Sequence, residues 1–348
     1  MDSIDVTAAA RQSLGTVGAY LPVPLTSTPP FGLQREAAAR LERAGYRTAW
    51  VNETVGGKDP LVQLALLLGA TGRMTFGTGI ANIWARAPQT AHGATATLAQ
   101  AYPGRVVLGL GAGYPEQAAQ VGREFGSPLA AVRDYLERMD APTMTPAPDA
   151  PYPRLVAANG PKMIALADGI LPAGLPPAFT AQARQALGPD KLLVAGLSVI
   201  TDTSDRDAAR AAARTVAEAS LGRAWYAGAM TRLGYTDRQI AAPDDGFVSE
   251  LVAHGDPESI AAAPASAWTC GWPPGSACTT SRPRPTAANS KNSANSSTAR
   301  LNGGPTSLTN LERARSGDTL RPCRCSRCGV RRGRVRRLSS ARCSSEVT

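Results

Sequence analysis

The sequence predicts an α/β fold in which parallel strands alternate with helices over residues 14–262. Short β-branched or apolar runs alternate with Ala- and Leu-rich segments of helical periodicity, which is typical of repeated βα units. Residues 105–110 are almost wholly apolar, as expected of a strand that is buried on both faces of a parallel sheet. The segment also has about the 250 residues of a (β/α)₈ barrel. We therefore expect one barrel domain.

Seven strands are predicted from the apolar runs. In chain order they cover residues 14–21, 47–52, 74–80, 105–110, 154–158, 169–172 and 192–201. The sequence shows no recognisable eighth strand. A complete barrel needs eight strands, so we expect the remaining edges of strands one and seven to be unpaired.

Helices are predicted between these strands from 3.6-residue periodicity and from their boundary residues. In the first, Leu33, Ala37 and Leu41 share one face and Gly45 follows the end. The second has Pro60 in its first turn, where proline is favoured. The predicted helices cover residues 31–44, 60–70, 88–101, 129–139, 176–187, 205–233 and 245–254, with shorter ones beginning near 161 and 256.

The charge divides the chain into an acidic body and a basic tail. Residues 263–348 contain 15 of the 37 basic and three of the 27 acidic residues, which leaves 22 basic and 24 acidic residues for 1–262. All six cysteines also lie in the tail. We therefore divide the chain into a flexible N-terminus (1–13), a barrel domain (14–262) and a low-complexity basic tail (263–348).

The basic tail has no apolar periodicity of two or 3.6 residues, so we expect it to be disordered or to arise from a shifted reading frame. Its Cys323-x-Cys325-x-x-Cys328 pattern lacks a following histidine, and we predict no metal site. No run reaches the roughly 20 apolar residues that span a bilayer. The N-terminus also lacks the pattern of a signal peptide, so we expect a cytoplasmic protein.

Four local motifs lie along the predicted strands or at their ends. Residues 78–84 read TGIANIW, residues 103–113 read PGRVVLGLGAG, residues 157–163 read AANGPKM, and Asp168-Gly169 begins the sixth strand. Together these motifs resemble the luciferase-like monooxygenase family, especially its coenzyme F420-dependent branch. The resemblance extends over residues 14–260 and implies a (β/α)₈ barrel of the bacterial-luciferase type.

The resemblance implies a coenzyme site at the carboxyl ends of the strands. By analogy, the bond between Gly79 and Ile80 is the candidate for a non-prolyl cis peptide against the coenzyme ring. The ring would also contact Asn82 and Gly111. The helix entrance would receive the coenzyme phosphate, and its predicted residues are Asn159, Gly160, Pro161, Lys162 and Met163.

Glu53 is our candidate for a catalytic, proton-handling group near the ring. It follows the second strand, where characterised family members often have a histidine. Arg86 is a candidate contact for the anionic tail of F420. Each motif also has a structural interpretation: Gly109, Gly111 and Gly113 suit a tight turn, Asn159-Gly160-Pro161 suits any helix entrance, and Glu53 suits a simple turn.

The function implied by the resemblance is hydride transfer between F420 and an unknown organic substrate. An FMN-dependent monooxygenase of the same fold is the alternative, because both coenzymes carry a phosphate on the ribityl chain. An alternative of another class is a truncated or frameshifted barrel without catalysis. We expect a small-molecule substrate and a homodimer as partners, and neither a membrane nor nucleic acid.

Overall fold

We describe the protein from a computed structural model, which defines residues 3–21, 28–172, 174–201, 205–256, 260 and 277–279. The chain divides into units of residues 1–289 and 290–348, and every described residue belongs to the first. The elements, in chain order, are α1 (Ser3–Leu14), β1 (Val17–Tyr20), α2 (Phe31–Arg43), β2 (Thr48–Val51), α3 (Pro60–Gly69), β3 (Thr75–Thr78), β4 (Ala81–Asn82), α4 (Pro88–Ala101), β5 (Val106–Gly111), α5 (Pro115–Gln120), α6 (Pro128–Asp140), β6 (Arg154–Val156), α7 (Pro161–Leu166), β7 (Gly169–Ile170), α8 (Pro177–Leu187), β8 (Leu192–Gly196), β9 (Ser198–Thr201), α9 (Arg206–Leu221), α10 (Ala224–Arg232), α11 (Asp237–Ala241), α12 (Asp245–Leu251), β10 (Val252–Gly255) and β11 (Ala277–Thr279).

The strands form a closed parallel barrel, which confirms the predicted fold. Their order around the sheet is β3-β2-β1-β11-β8-β7-β6-β5, and a direct pairing of β3 with β5 closes the ring. β4 continues the third strand beyond an interruption and pairs with β5 as well. Every pairing is parallel, so the carboxyl ends of the strands meet at one rim, where active sites of such barrels lie.

The eighth position of the barrel is occupied by β11, which the sequence analysis did not recognise. Cys278 pairs with Val17 of β1 on one side and with Ala195 of β8 on the other. Three residues are too few to show a periodicity, which is why the sequence pattern predicted a missing strand. The other predictions for the tail, including its disorder, concern residues outside those that the structure describes.

The N-terminal segment forms α1 where the sequence predicted a flexible stretch of residues 1–13. Leu14 at its end is fully buried in the barrel interior, and its carbonyl oxygen accepts a 2.6 Å hydrogen bond from Thr48 Oγ1. Arg11 donates to the carbonyl oxygen of Lys191 at the start of β8. The helix therefore packs at the amino ends of the strands, opposite the expected site.

Trp50 fills the middle of the barrel and is fully buried. A methyl group at Gly77 would lie 2.2 Å from Cζ3 of its indole, and one at Gly18 would lie 3.2 Å from its Nε1. These contacts identify the inner faces of β1, β2 and β3. Side chains alternate between the faces of a strand, so Tyr20, Asn52 and Gly79 occupy the next inner level toward the carboxyl rim.

Four predicted elements are divided or reassigned in the structure. The third strand is interrupted after Thr78, and the seventh is divided into β8 and β9. The helix predicted over 205–233 breaks at Gly222 into α9 and α10, and the helix predicted over 245–254 ends at Leu251 and continues as β10. Apolar periodicity continues through each break, so local pattern did not predict where the chain changes direction.

Within the described ranges, no helix combines the length and apolarity that a membrane crossing requires. The same ranges contain no group of three or more His, Cys, Asp or Glu side chains placed to bind a metal ion.

Candidate functional site

The predicted site residues all lie at the carboxyl rim of the barrel. Glu53 follows β2, Gly79 and Ile80 separate β3 from β4, Asn82 ends β4 and Gly111 ends β5. The last group, residues 159–163, connects β6 to α7. The fold thus brings the ends of four barrel strands together around one opening.

The peptide bond between Gly79 and Ile80 is cis, as the resemblance predicted. It forms a bulge between β3 and β4, and the end of β2 holds this bulge on both sides. Gly79 N donates to the carbonyl oxygen of Val51 at 2.6 Å, and Glu53 N donates to that of Ile80 at 3.1 Å. The bulge is therefore fixed in the wall of the barrel mouth by backbone hydrogen bonds.

Glu53 uses both of its carboxylate oxygens within the protein. Oε1 lies 2.5 Å from Arg86 Nη2, and Oε2 lies 2.9 Å from Arg86 Nη1. Oε2 also accepts a 2.6 Å hydrogen bond from the backbone N–H of Asn82. The side chain is only 5% exposed. These contacts give Glu53 a positioning task at the bulge and favour it over the predicted proton-handling task.

Arg86 forms salt bridges with two carboxylates of the protein itself. Besides Glu53, its Nη2 contacts Asp59 Oδ2 at 2.8 Å, and its side chain is 10% exposed. Burial by itself would lower the pKa of Arg86, but the bonds to Glu53 and Asp59 outweigh it and raise the pKa. The expectation that Arg86 binds the anionic tail of F420 therefore does not fit its contacts.

Asn82 connects the bulge to the segment after β5. Its Nδ2 donates to Gln117 Oε1 at 3.1 Å, and its Oδ1 accepts from Trp84 N at 2.9 Å. A methyl group at Gly113, where φ is +60°, would lie 2.0 Å from Gln117 Oε1. The last glycine of the Gly-x-Gly-x-Gly motif is thus required by this network, in which the buried Asn82 amide both donates and accepts a hydrogen bond.

The other two glycines of the motif face the barrel interior. A methyl group at Gly109 would lie 2.1 Å from the carbonyl oxygen of Thr78. One at Gly111 would lie 3.1 Å from both Ile80 Cγ1 and Ala157 Cβ. Gly111 therefore lies between the bulge and the end of β6, and its missing side chain leaves a flat surface at the rim.

The entrance to α7 combines free polar groups with a positive charge. Gly160 is the N-cap residue, and its carbonyl oxygen accepts from Met163 N and Ile164 N. Asn159 Oδ1 is buried without a hydrogen-bond partner in the described structure. Arg232 Nη2 donates to the backbone carbonyl oxygen of Asn159 at 2.8 Å. Pro161 and Lys162 are exposed beside this cluster.

Helix α10 contacts the segments after three successive barrel strands. The Arg223 guanidinium lies over the Tyr114 ring, 4.5 Å from its centre, after β5. Arg232 reaches the segment after β6, and a methyl group at Gly174 after β7 would lie 3.7 Å from Tyr226. These residues were not predicted at the site, because the sequence pattern places them in the second half of a single long helix.

The family of the chain follows from comparison with known proteins. The model of the family described as luciferase-like monooxygenase matches residues 11–267. A protein of Mycobacterium tuberculosis (strain ATCC 25618 / H37Rv) that carries the provisional name coenzyme F420-dependent oxidoreductase is 34% identical over 103 residues. That match spans 29% of either protein.

Solved structures share the fold at low sequence identity. An F420-dependent secondary alcohol dehydrogenase in complex with an F420-acetone adduct has a TM-score of 0.60 and 17% identity, covering 76% of this chain and 92% of that one. The F420-dependent tetrahydromethanopterin reductase of Methanopyrus kandleri has a TM-score of 0.57 and 18% identity, covering 77% and 93%. The oxygenating constituent of 3,6-diketocamphane monooxygenase of Pseudomonas putida, in complex with FMN, has a TM-score of 0.59 and 15% identity, covering 76% and 91%.

These structures are too distant in sequence to show more than the barrel. The family model, in contrast, covers well over half of the chain and includes every predicted site residue. The chain therefore belongs to the luciferase-like monooxygenase family, whose members are oxidoreductases.

Proposed function

We propose that this chain binds coenzyme F420 at the carboxyl rim of its barrel and transfers a hydride between the deazaflavin and an organic substrate. The observation that carries the proposal is the bulge of Gly79 and Ile80 between β3 and β4, which lies against the bare surface of Gly111. A flat ring fits a surface that is formed by backbone and one aliphatic side chain. The F420-linked name of the mycobacterial relative supports the choice of coenzyme.

The coenzyme would supply the hydride chemistry, while the protein binds it, orients it and excludes water. Ile80 and the backbone of Gly79, Asn82 and Gly111 would support the ring. Because both Glu53 oxygens are engaged, its proposed task is to hold the bulge in place through Arg86 and the Asn82 N–H.

The phosphate of the coenzyme would lie at the entrance to α7. The unpartnered Asn159 Oδ1 is an acceptor, so it would suit a hydroxyl of the ribityl chain beside the phosphate and not the phosphate itself. Gly160, Pro161, Lys162 and Met163 form the first turn, and Lys162 adds a positive charge. The guanidinium of Arg232 lies beside Asn159 and forms no salt bridge in the described ranges, so its charge is available to an anion.

An FMN-dependent monooxygenase is the second candidate, because the same phosphate site serves FMN. F420 also carries an anionic lactyl-glutamyl tail, which needs cationic groups near the mouth. Arg223 is exposed at the start of α10, where its only described side-chain contact is the Tyr114 ring. This cation favours F420 over FMN.

The purified full chain should be titrated with F420 and with FMN in parallel, with coenzyme fluorescence as the signal. We expect saturable binding and a preference for F420. Arg232→Met should weaken the binding of F420 by about tenfold, because a charge-assisted hydrogen bond is lost. The matched control is Arg133→Met, which removes an exposed arginine on α6. Preferred binding of FMN would support the monooxygenase, and no binding of either would support the non-catalytic alternative.

We also propose that the chain forms a homodimer through α2 and α3. Leu33 on α2 and Val62 and Leu66 on α3 are 57%, 58% and 50% exposed. Val62 and Leu66 are four residues apart and therefore lie on one face of α3. Exposed apolar side chains of this size suit burial between two copies of the chain.

A further inference from the structure

Tyr20 occupies the inner face of the barrel at the level of the cis bulge. Its Cα pairs in register with that of Trp50, whose indole fills the level below. A methyl group at Gly79 would lie 2.4 Å from the Tyr20 hydroxyl oxygen and 2.8 Å from its Cε1. The phenol ring therefore reaches the bulge, and glycine at position 79 leaves room for this contact.

The Tyr20 hydroxyl has no hydrogen-bond partner among the described residues, although the ring packs against the buried cluster around Trp50. Thr78 Oγ1, which precedes Gly79 in the chain, exchanges hydrogen bonds with the backbone of Gly109. The half-buried phenol therefore has a donor that no described residue uses and that a bound ligand can accept.

The Tyr20 hydroxyl is protonated and therefore acts as a hydrogen-bond donor. Burial raises the pKa of Tyr20 well above its ordinary value of 10.0, so the phenol keeps its proton at neutral pH. A protonated phenol donates one hydrogen bond and does not act as a base. The acceptor must then be an uncharged or anionic oxygen or nitrogen that reaches the mouth of the barrel.

We propose that Tyr20 donates a hydrogen bond to a carbonyl oxygen of the coenzyme ring. This inference rests on the proposed function and adds to it a positioning residue that binds the ring directly. A donor at a ring carbonyl stabilises the reduced coenzyme more than the oxidised one, because reduction increases the electron density on that oxygen. Tyr20 therefore sets the relative affinity for the two redox states, which a purely structural role would not change.

The test compares Tyr20→Phe with Tyr102→Phe in the full chain. Tyr102 is a half-buried tyrosine at the end of α4, before β5, and so lies at the opposite end of the barrel. We expect Tyr20→Phe to bind oxidised F420 with little change and reduced F420 about tenfold more weakly. That ratio corresponds to a midpoint potential about 30 mV lower for the bound two-electron couple. Tyr102→Phe should change neither affinity.

Equal loss of affinity for both redox states, or no loss, would overturn the assignment of Tyr20. A wild-type chain that binds neither F420 nor FMN would instead overturn the proposed function itself. If Tyr20→Phe does not fold, the ring carbonyl bands of oxidised F420 bound to the wild-type chain decide the question by infrared difference spectroscopy. A downshifted band on binding supports the donor, and carbonyl bands at the frequency of an apolar solvent contradict it.

Discussion

Arg86 and Glu53 form a two-pronged ion pair that connects the end of β2 to the segment preceding α4, with side chains that are 10% and 5% exposed. Through its Oε2 atom, Glu53 also holds the N–H of Asn82 in β4. One buried carboxylate thus connects three segments of the rim. The position of the bulge therefore depends on a buried charge pair.

Replacing Glu53 by alanine should therefore lower the free energy of unfolding by about 3–5 kcal/mol, because Arg86 would remain buried without its main partner. Denaturant unfolding followed by circular dichroism measures this loss. The control is Asp134→Ala, which breaks the pair of Asp134 and Arg138, whose side chains are 66% and 55% exposed. That change should cost less than about 1 kcal/mol. Equal costs for the two variants would contradict the structural role of Glu53.

Adding a methyl group at Gly111 should impair coenzyme binding more than stability. The new Cβ would lie 3.1 Å from Ile80 and Ala157, so both neighbours must shift and the flat surface under the proposed ring is lost. We expect Gly111→Ala to weaken binding of F420 by more than about tenfold, which corresponds to about 1.4 kcal/mol. Fluorescence titration measures the affinity, and thermal unfolding measures the stability.

Gly93→Ala is the matched control for this substitution. Gly93 lies inside α4, and a methyl group there would meet no atom within 4 Å apart from its chain neighbours and the backbone of its own helix. Alanine should stabilise the helix by about 0.5–1 kcal/mol and leave the affinity for F420 unchanged. A Gly111→Ala variant that binds F420 like the wild type would remove the rim of β5 from the proposed site.

The sequence predicted the barrel and the position of its rim because both depend on local signals. Buried parallel strands appear as apolar runs, and the strand ends follow from these runs. The resemblance added the cis bond between Gly79 and Ile80, which the structure contains. The partner of Glu53 was not predicted, because Arg86 is 33 residues away and its contact depends on how two loops fold back.

Long-range contacts explain the other differences as well. Arg232 reaches Asn159 across 73 residues, and only the break at Gly222 turns α10 toward the segments after β5, β6 and β7. The strand β11 is defined by its pairing with β1 and β8, not by a pattern of its own. Such features arise from tertiary packing, which periodicity along a single chain does not report.

A charge on the exposed face of α3 should prevent the proposed dimer. Leu66→Glu places a carboxylate beside Val62 on the exposed apolar face of α3, where burial without a partner is unfavourable. We expect the wild-type chain to elute as a dimer and the variant as a monomer when size-exclusion chromatography is combined with light scattering. Val216→Glu on α9 is the control, since Val216 is 38% exposed on another helix. A monomeric wild-type chain would contradict the proposal.

Acid should weaken the contribution of Asp59 to stability. Asp59 is the N-cap of α3, where its Oδ1 accepts from Leu61 N and Val62 N, and its Oδ2 contacts Arg86. Partial burial acts to raise the pKa of Asp59, but these hydrogen bonds and the charge of Arg86 outweigh it and lower the pKa below 3.8. The folded state therefore binds this proton less readily than the unfolded state, so the stabilisation is complete above the unfolded pKa and is lost as the pH falls through the folded pKa.

The difference in unfolding free energy between the wild type and Asp59→Asn should stay constant from about pH 7 to 5 and shrink below about pH 4. Urea unfolding at each pH measures that difference, and a difference that grows on acidification would show that Asp59 is not held as a carboxylate by these partners.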